Sequence, residues 1–327
     1  MAERSGTDAH KHAFLEKIER QGIPIRAYGE SSQGDVRFAH GDPSLPIALT
    51  GVTQAFVMAM VLRDIDRGAL ALDTAITDVL PSTLAYGLCV IDGKDHTEAV
   101  TVAHLLSGSS GIPDFFDPPV KGIRSLRSQV IEGDRAWSMP EALELARHYP
   151  GIFRPGAKSG LFSSTNALLM GELLKETTGM SLSALLDLRV TKPLGLSATY
   201  FFTPEHHSTF FTLAPINHKS QPLHIPRTLT SLGAAGGIVS TARDTTRFLH
   251  ALWDGSLFST EWTTRLEARP QNFGFTPARG AKDVAVVSGV SGISAGFSAT
   301  SRDCGVVALN QWGAGAQSSQ YLGKALT

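Results

Sequence analysis

The chain has 327 residues and a mass of 34.9 kDa, enough for one large domain or two interleaved ones with a sizeable core. Apolar residues make up 42% and charged residues 18%, which excludes a disordered chain. A formal net charge of −1 offers no basic field to a polyanion, so no nucleic-acid partner is expected.

The first stretch, MAERSGTDAHKHAFLEKIERQG, is polar and lacks the apolar centre of a secretory signal; residues 12–21 within it read as an amphipathic helix. No apolar run is long enough to span a bilayer, so a cytoplasmic protein without a membrane partner is expected. IPIRAYGESSQGDVRFAHG reads as two short strands joined by a Ser/Gly turn. TGVTQAFVMAMVLRDIDRG is apolar on most sides, the mark of a helix buried at the centre of a fold, and it closes at Gly68. ALALDTAITDVLPST gives a capped turn and a short helix ending at Pro81.

From about 99 to 225 the pattern is mainly helical with long loops. MPEALELARHYPG is started by Pro140 and stopped at Pro150, and NALLMGELLKETTGMSLSALLDLRVTKPLG gives two more helices. AAGGIVSTARDTTRFLHALWDG is a glycine-rich entry into a helix. NFGFTPARG, DVAVVSGVSG, SAGFSATSRD and CGVVALNQWG then read as successive antiparallel strands, with a closing helix at the end. Strands from both ends with a helical middle predict an α/β (α+β) fold. Residues 1–80 and 230–327 would build an antiparallel sheet flanked by helices, residues 81–229 a mostly helical subdomain, and the cleft between them is the expected ligand site.

The motifs GALALD at 68–73, TVAHLLSGSSGIPD at 101–114, PLGLSAT at 193–199, AAGGIVSTARD at 234–244 and SAGFSAT at 294–300 stand in a telling order. Together they resemble the serine β-lactamase and penicillin-binding-protein superfamily, especially its class C β-lactamase and esterase branch, over roughly residues 20 to 315. The resemblance implies a β-lactamase/transpeptidase-like fold. It also implies an acylating serine at the head of the buried helix, with a lysine one turn later to withdraw its proton.

The expected reactive groups are replaced. Counting back from Asp73 by the family's spacing places Gly51 at the serine and Gln54 at the lysine. Counting back from Gly171 places Phe162 at the tyrosine of Y-x-N and Ser164 at its asparagine; reading STN at 164–166 instead keeps Asn166 but still lacks a tyrosine. Counting back from Gly296 places Val290 at the histidine or lysine of H-x-G, followed by Ser291, and Gly108 replaces the frequent histidine of L-L-x-H. A glycine cannot be acylated and glutamine is no base near neutral pH. The backbone amides that form the family's oxyanion hole would here belong to Gly51 and Ile293.

Other hydroxyls near the cleft, Thr50, Thr53, Ser109, Ser110, Ser164 and Ser291, have no base assigned by the sequence and read as turn and cap residues rather than nucleophiles, while Ser164 and Gln54 read as hydrogen-bonding groups toward a ligand; the expected substrate-binding set is Gly51, Gln54, Phe162, Ser164, Val290, Ser291 and Ile293. Asp114 is a candidate acid or base at the cleft mouth, against a role as a cap. His206, His207, His218 and His224 lack metal-ligand spacing, and Cys89 and Cys304 read as buried thiols, so no metal and no cofactor is expected. Three functions stay open. The first is a repurposed enzyme of specialised metabolism that cyclises, isomerises or eliminates from a small carbonyl-containing metabolite, or guides a pericyclic step. The second is an inactive small-molecule-binding or regulatory homologue. The third is a hydrolase or acyltransferase with a displaced Ser or Thr. The partner expected in each is a small molecule.

Overall fold

The computed structural model describes residues 2–118, 122, 124–158, 161 and 163–327; for residues 2–9 and Thr260 only the backbone is described. In chain order the strands of the two larger sheets are β1 (Arg26–Glu30), β2 (Val36–His40), β3 (Ile47–Ala48), β4 (Tyr200–Phe201), β5 (Ile238–Ser240), β6 (Thr276–Ala278), β7 (Ala281–Gly289), β8 (Ile293–Ser298) and β9 (Cys304–Ala308). Six of them form one sheet in the order β6-β7-β8-β9-β1-β2, antiparallel at every pairing. Arg26 faces Ala308 and Glu30 faces Cys304, so the N-terminal hairpin is stitched onto the C-terminal meander. A small second sheet, in the order β3-β5-β4, ties Ile47 to Ser240 and Tyr200 to Val239.

Among the described residues the α-helices of nine or more residues are α1 (Ala2–Arg20), α2 (Thr53–Asp66), α3 (Met139–Arg147), α4 (Ser164–Thr178), α5 (Ala242–Trp253), α6 (Thr260–Ala268) and α7 (Gly315–Leu326). Helices α1 and α7 cover one face of the large sheet, where Leu15, Ile18, Leu322 and Leu326 pack on Ala27, Phe38 and Val307. Helix α5 covers the other face and joins the main core with α2 and α4. Every residue of β8 and β9 is buried, because both faces of these central strands are covered.

Helix α2 forms because its run of Ala, Met, Leu and Phe combines helix propensity with burial; ten of its fourteen residues are buried. Gly68, at φ +72°, stops it as the left-handed residue just past the end. Its one deeply buried charge, Asp64, pairs with Arg189 at 2.6 Å, both side chains about 2% exposed or less. Among the described residues no helix is long and apolar enough to cross a membrane.

Candidate functional site

The head of α2 is reached through a single helical turn, Thr50–Val52. Thr50 sits at φ +43°, a costly position for a β-branched residue. It is held there by Ser291, whose backbone N–H donates to Thr50 Oγ1 at 3.3 Å and whose hydroxyl lies 3.0 Å from the same oxygen. Ser291 Oγ also donates to the Ala48 carbonyl at 3.1 Å. Ser291 is therefore a buried brace for the turn.

Gly51 follows, packed directly on the end of β7. A Cβ attached there would come closer than 3.0 Å to the Ser288 carbonyl oxygen and 3.2 Å from Gly289 Cα, inside the distances Cβ atoms adopt. Gly289 is equally tight, since its own Cβ would collide with Thr50 Oγ1 and the Leu49 carbonyl. Two glycines thus let the strand and the helix head meet backbone to backbone.

Two cavities flank this contact and share Ser288. The smaller, about 440 Å³, is lined by Gly51, Val290, Ser164, Asp114 and Arg127. Asp114 is 6% exposed. It accepts the Phe116 N–H (2.7 Å) and Asp117 N–H (3.1 Å) on Oδ1, and the Ser164 N–H (2.9 Å) on Oδ2. Burial pushes its carboxyl up while these amide donors hold it down. It secures the 113–117 loop to the first turn of α4.

The larger cavity, about 1130 Å³, has Gln54, Ser163 and Asn166 among its polar lining. Ser163 is 4% exposed, and among the described residues neither its hydroxyl nor Gln54 Nε2 has a hydrogen-bond partner. Asn166 Oδ1 accepts the Ser110 hydroxyl at 2.7 Å. Leu72, Leu106, Phe273, Phe275, Val286 and Val287 supply apolar wall. Lys158, Arg265 and Arg269 line the same cavity from exposed positions, and among the described residues no carboxylate lines it.

The structure brings Gly51, Ser164 and Val290 to one cavity and Gln54 to the other. Phe162 lies outside the described residues. Of the expected donor pair, Gly51 lines the smaller cavity and Ile293 lines neither. Ile293 is 1% exposed, lines neither cavity, and stands in β8 between Gly289 of β7 and Ala308 of β9. The reason is a repeated tripeptide: V-S-G occurs at 287–289 and again at 290–292. Counting back from Gly296 lands on the second copy, which forms the hairpin turn, whereas Ser288 and Gly289 of the first copy meet Gly51.

Ser163, Lys158, Arg265 and Arg269 were not among the expected site residues; nothing in their spacing ties them to one cavity. His206 Nδ1 lies 3.1 Å from the Thr203 amide, and His207 Nε2 lies 2.9 Å from Thr230 Oγ1, so both serve local structure. Among the described residues no group of three or more His, Cys, Asp or Glu is placed to hold a metal ion.

Comparison with known proteins gives a consistent picture. A family model described as Beta-lactamase matches residues 44–309. Esterase EstB of Burkholderia gladioli is 30% identical over 199 residues, which is 60% of this chain and 46% of that protein. Monacolin J acid methylbutanoyltransferase of Aspergillus terreus is 24% identical over 165 residues, 48% of this chain and 38% of that protein. The matched stretches thus span less than half the length of these curated relatives.

Among solved structures, EstCE1, a hydrolase with promiscuous acyltransferase activity, superposes with a TM-score of 0.78 at 16% identity, covering 100% of both chains. D-amino acid amidase from Ochrobactrum anthropi SV3, complexed with L-phenylalanine amide, superposes with a TM-score of 0.75 at 17% identity, covering 98% of this chain and 97% of that one. The mixed helix and antiparallel-sheet fold is that of these β-lactamase/transpeptidase-like structures.

Proposed function

We propose that this chain, which belongs to the Beta-lactamase family, works without an acyl-enzyme: it binds a small carbonyl-containing metabolite in the cleft and promotes cyclisation, isomerisation, elimination or a pericyclic step by shape and polarisation. The observation that carries the reading is the contact of Gly51 with the Ser288 carbonyl, which leaves no room at the helix head for a serine side chain. Gly51 and Gln54 are taken as the replacements of the family's serine and lysine.

The chemistry available is non-covalent. Gln54 and Ser163 line a cavity with extensive apolar wall, and among the described residues Gln54 Nε2 and the Ser163 hydroxyl have no hydrogen-bond partner. Donors fixed in place before the ligand arrives can polarise a carbonyl, and one such group can be worth a few kcal/mol in the transition state. An apolar enclosure holds a flexible substrate near its reactive conformation. A biosynthetic setting is proposed alongside, in line with a relative named for methylbutanoyl transfer to monacolin J acid.

A second reading, acyl transfer from a displaced hydroxyl, draws support from the esterase and acyltransferase names among the relatives. Ser163 is the hydroxyl the geometry offers, being buried, unpartnered and on the larger cavity. A non-catalytic binding protein would use the same cavity.

Incubating the protein with fractionated small-molecule extracts and following masses separates these readings. A product isomeric with, or dehydrated from, the depleted ion is expected. Fragments whose masses add up to the depleted ion plus one water, a ring-opened product heavier by one water, or a product carrying a transferred acyl group would overturn the non-covalent reading; binding without any product would leave only a binding protein.

A further inference from the structure

On the reading that the larger cavity is the ligand site, we propose that its ligand is an apolar carboxylate whose charged end is held at the mouth by Arg265 and Arg269, aided by Lys158. Among the described residues three cations and no carboxylate line this cavity, although the chain as a whole carries a net charge of only −1. The asymmetry is local. Glu261 approaches Arg265 at 2.5 Å from one turn earlier in α6, but it does not line the cavity. That exposed pair fixes the Arg265 guanidinium, as does the Trp262 ring 4.9 Å beneath it, and leaves further N–H groups of the fork for a ligand.

Arg269 lies one turn beyond Arg265, its backbone N–H bonded to the Arg265 carbonyl at 3.0 Å. Among the described residues its guanidinium has no carboxylate partner. Two guanidinium forks one turn apart match the planar, two-oxygen geometry of a carboxylate better than they match a neutral group. Phe273, Phe275, Val286 and Val287 line the cavity as its apolar wall. Gln54 and Ser163 line the same cavity, and Gln54 Nε2 and Ser163 Oγ, covered in this conformation and without partners among the described residues, become donors to an acceptor on the inner end of the ligand once their side chains turn to face it. The ligand class is therefore an apolar chain or ring system with a carboxylate at one end and a carbonyl at the other.

Isothermal titration of the protein with octanoate, octan-1-ol and octylammonium tests this. Octanoate is expected to bind at least fivefold more tightly than octan-1-ol at 20 mM salt. The advantage should shrink at 500 mM salt, because exposed charges are screened over roughly 3–10 Å at such ionic strengths. The R265Q/R269Q double variant should lose about three- to tenfold in octanoate affinity and keep its octan-1-ol affinity. Equal binding of octanoate and octan-1-ol, or of octanoate and octylammonium, overturns the carboxylate claim while leaving the cavity as the ligand site. So does a double variant with unchanged octanoate affinity. Failure of all three probes overturns the claim together with the choice of cavity, whereas a covalent adduct would overturn only the non-acylating mechanism.

Discussion

Gly51 and Ser288 stand so close that the strand carbonyl occupies the space a side chain on residue 51 would need. A change from glycine to alanine near a helix start ordinarily stabilises, by restricting the unfolded chain, by about 0.4–1 kcal/mol. Here the sign should reverse. Gly51→Ala is expected to destabilise the protein by about 1–3 kcal/mol, since the opposing atom is backbone and β7 must shift to admit it. Urea unfolding of the variant checks this. The G51S/Q54K variant should likewise lose stability and gain no esterase activity.

The unpartnered atoms on the larger cavity should behave in the opposite way. A buried polar group without a partner is a liability in the empty protein. Ser163→Ala and Gln54→Met are therefore expected to leave the melting temperature unchanged or to raise it, while weakening ligand binding. A melting temperature lowered by several degrees in either variant would mean that these atoms have partners.

Asp114 serves three amides from two segments, the 116–117 loop and the first turn of α4. Asp114→Ala should cost about 2–4 kcal/mol, because each buried donor left unpaired carries about 1–3 kcal/mol of desolvation. Chemical denaturation measures the loss, and amide hydrogen exchange should rise at Phe116 and Ser164 before it rises elsewhere.

The buried ion pair of Asp64 and Arg189 supports α2 from behind the site. Removing only the cation, as in Arg189→Met, should cost about 3–5 kcal/mol, since the carboxylate is then stranded in the core. The double variant D64L/R189M should regain most of that loss in the same unfolding assay.

Both thiols are buried, and the pH dependence follows from them. Burial pushes Cys89 up from 9.0 to about 11, with Asp95 adding to the shift, and pushes Cys304 well above its ordinary value. Above pH 9 the unfolded chain releases these protons while the folded chain keeps them. Stability should therefore fall as the pH rises from about 9 towards 11. Thermal melts across that range and a thiol-reagent titration at pH 8 check it, the native protein reacting slowly and the unfolded protein reacting at both cysteines.

The large sheet was legible because its strands alternate with turn residues at short intervals, and Gly68 marked the end of the buried helix. The N-terminal helix runs further toward the start than the amphipathic stretch at 12–21 predicts, to Ala2. Motif order carried the fold, and spacing from Asp73 put Gly51 at the helix head, where the structure has it. Spacing alone could not choose between two copies of V-S-G, since only the hairpin register shows that Gly289 pairs with Ile293 and that Ser288 abuts Gly51. Ser163 gave no signal because its neighbour Ser164 has the same chemistry one position on. Arg265 and Arg269 look like any solvated helix face until the fold sets the 271–276 segment beside them on one cavity wall.

The most direct measurement is the intact mass of the protein after exposure to a fluorophosphonate and, separately, to a fluorescent penicillin. EstB, named as an esterase, would serve as the reference for the fluorophosphonate. Both reagents should leave the mass of the folded protein unchanged, since Gly51 presents nothing to acylate. One adduct per folded chain, mapped to a single serine or threonine such as Ser163, would contradict the non-covalent mechanism outright.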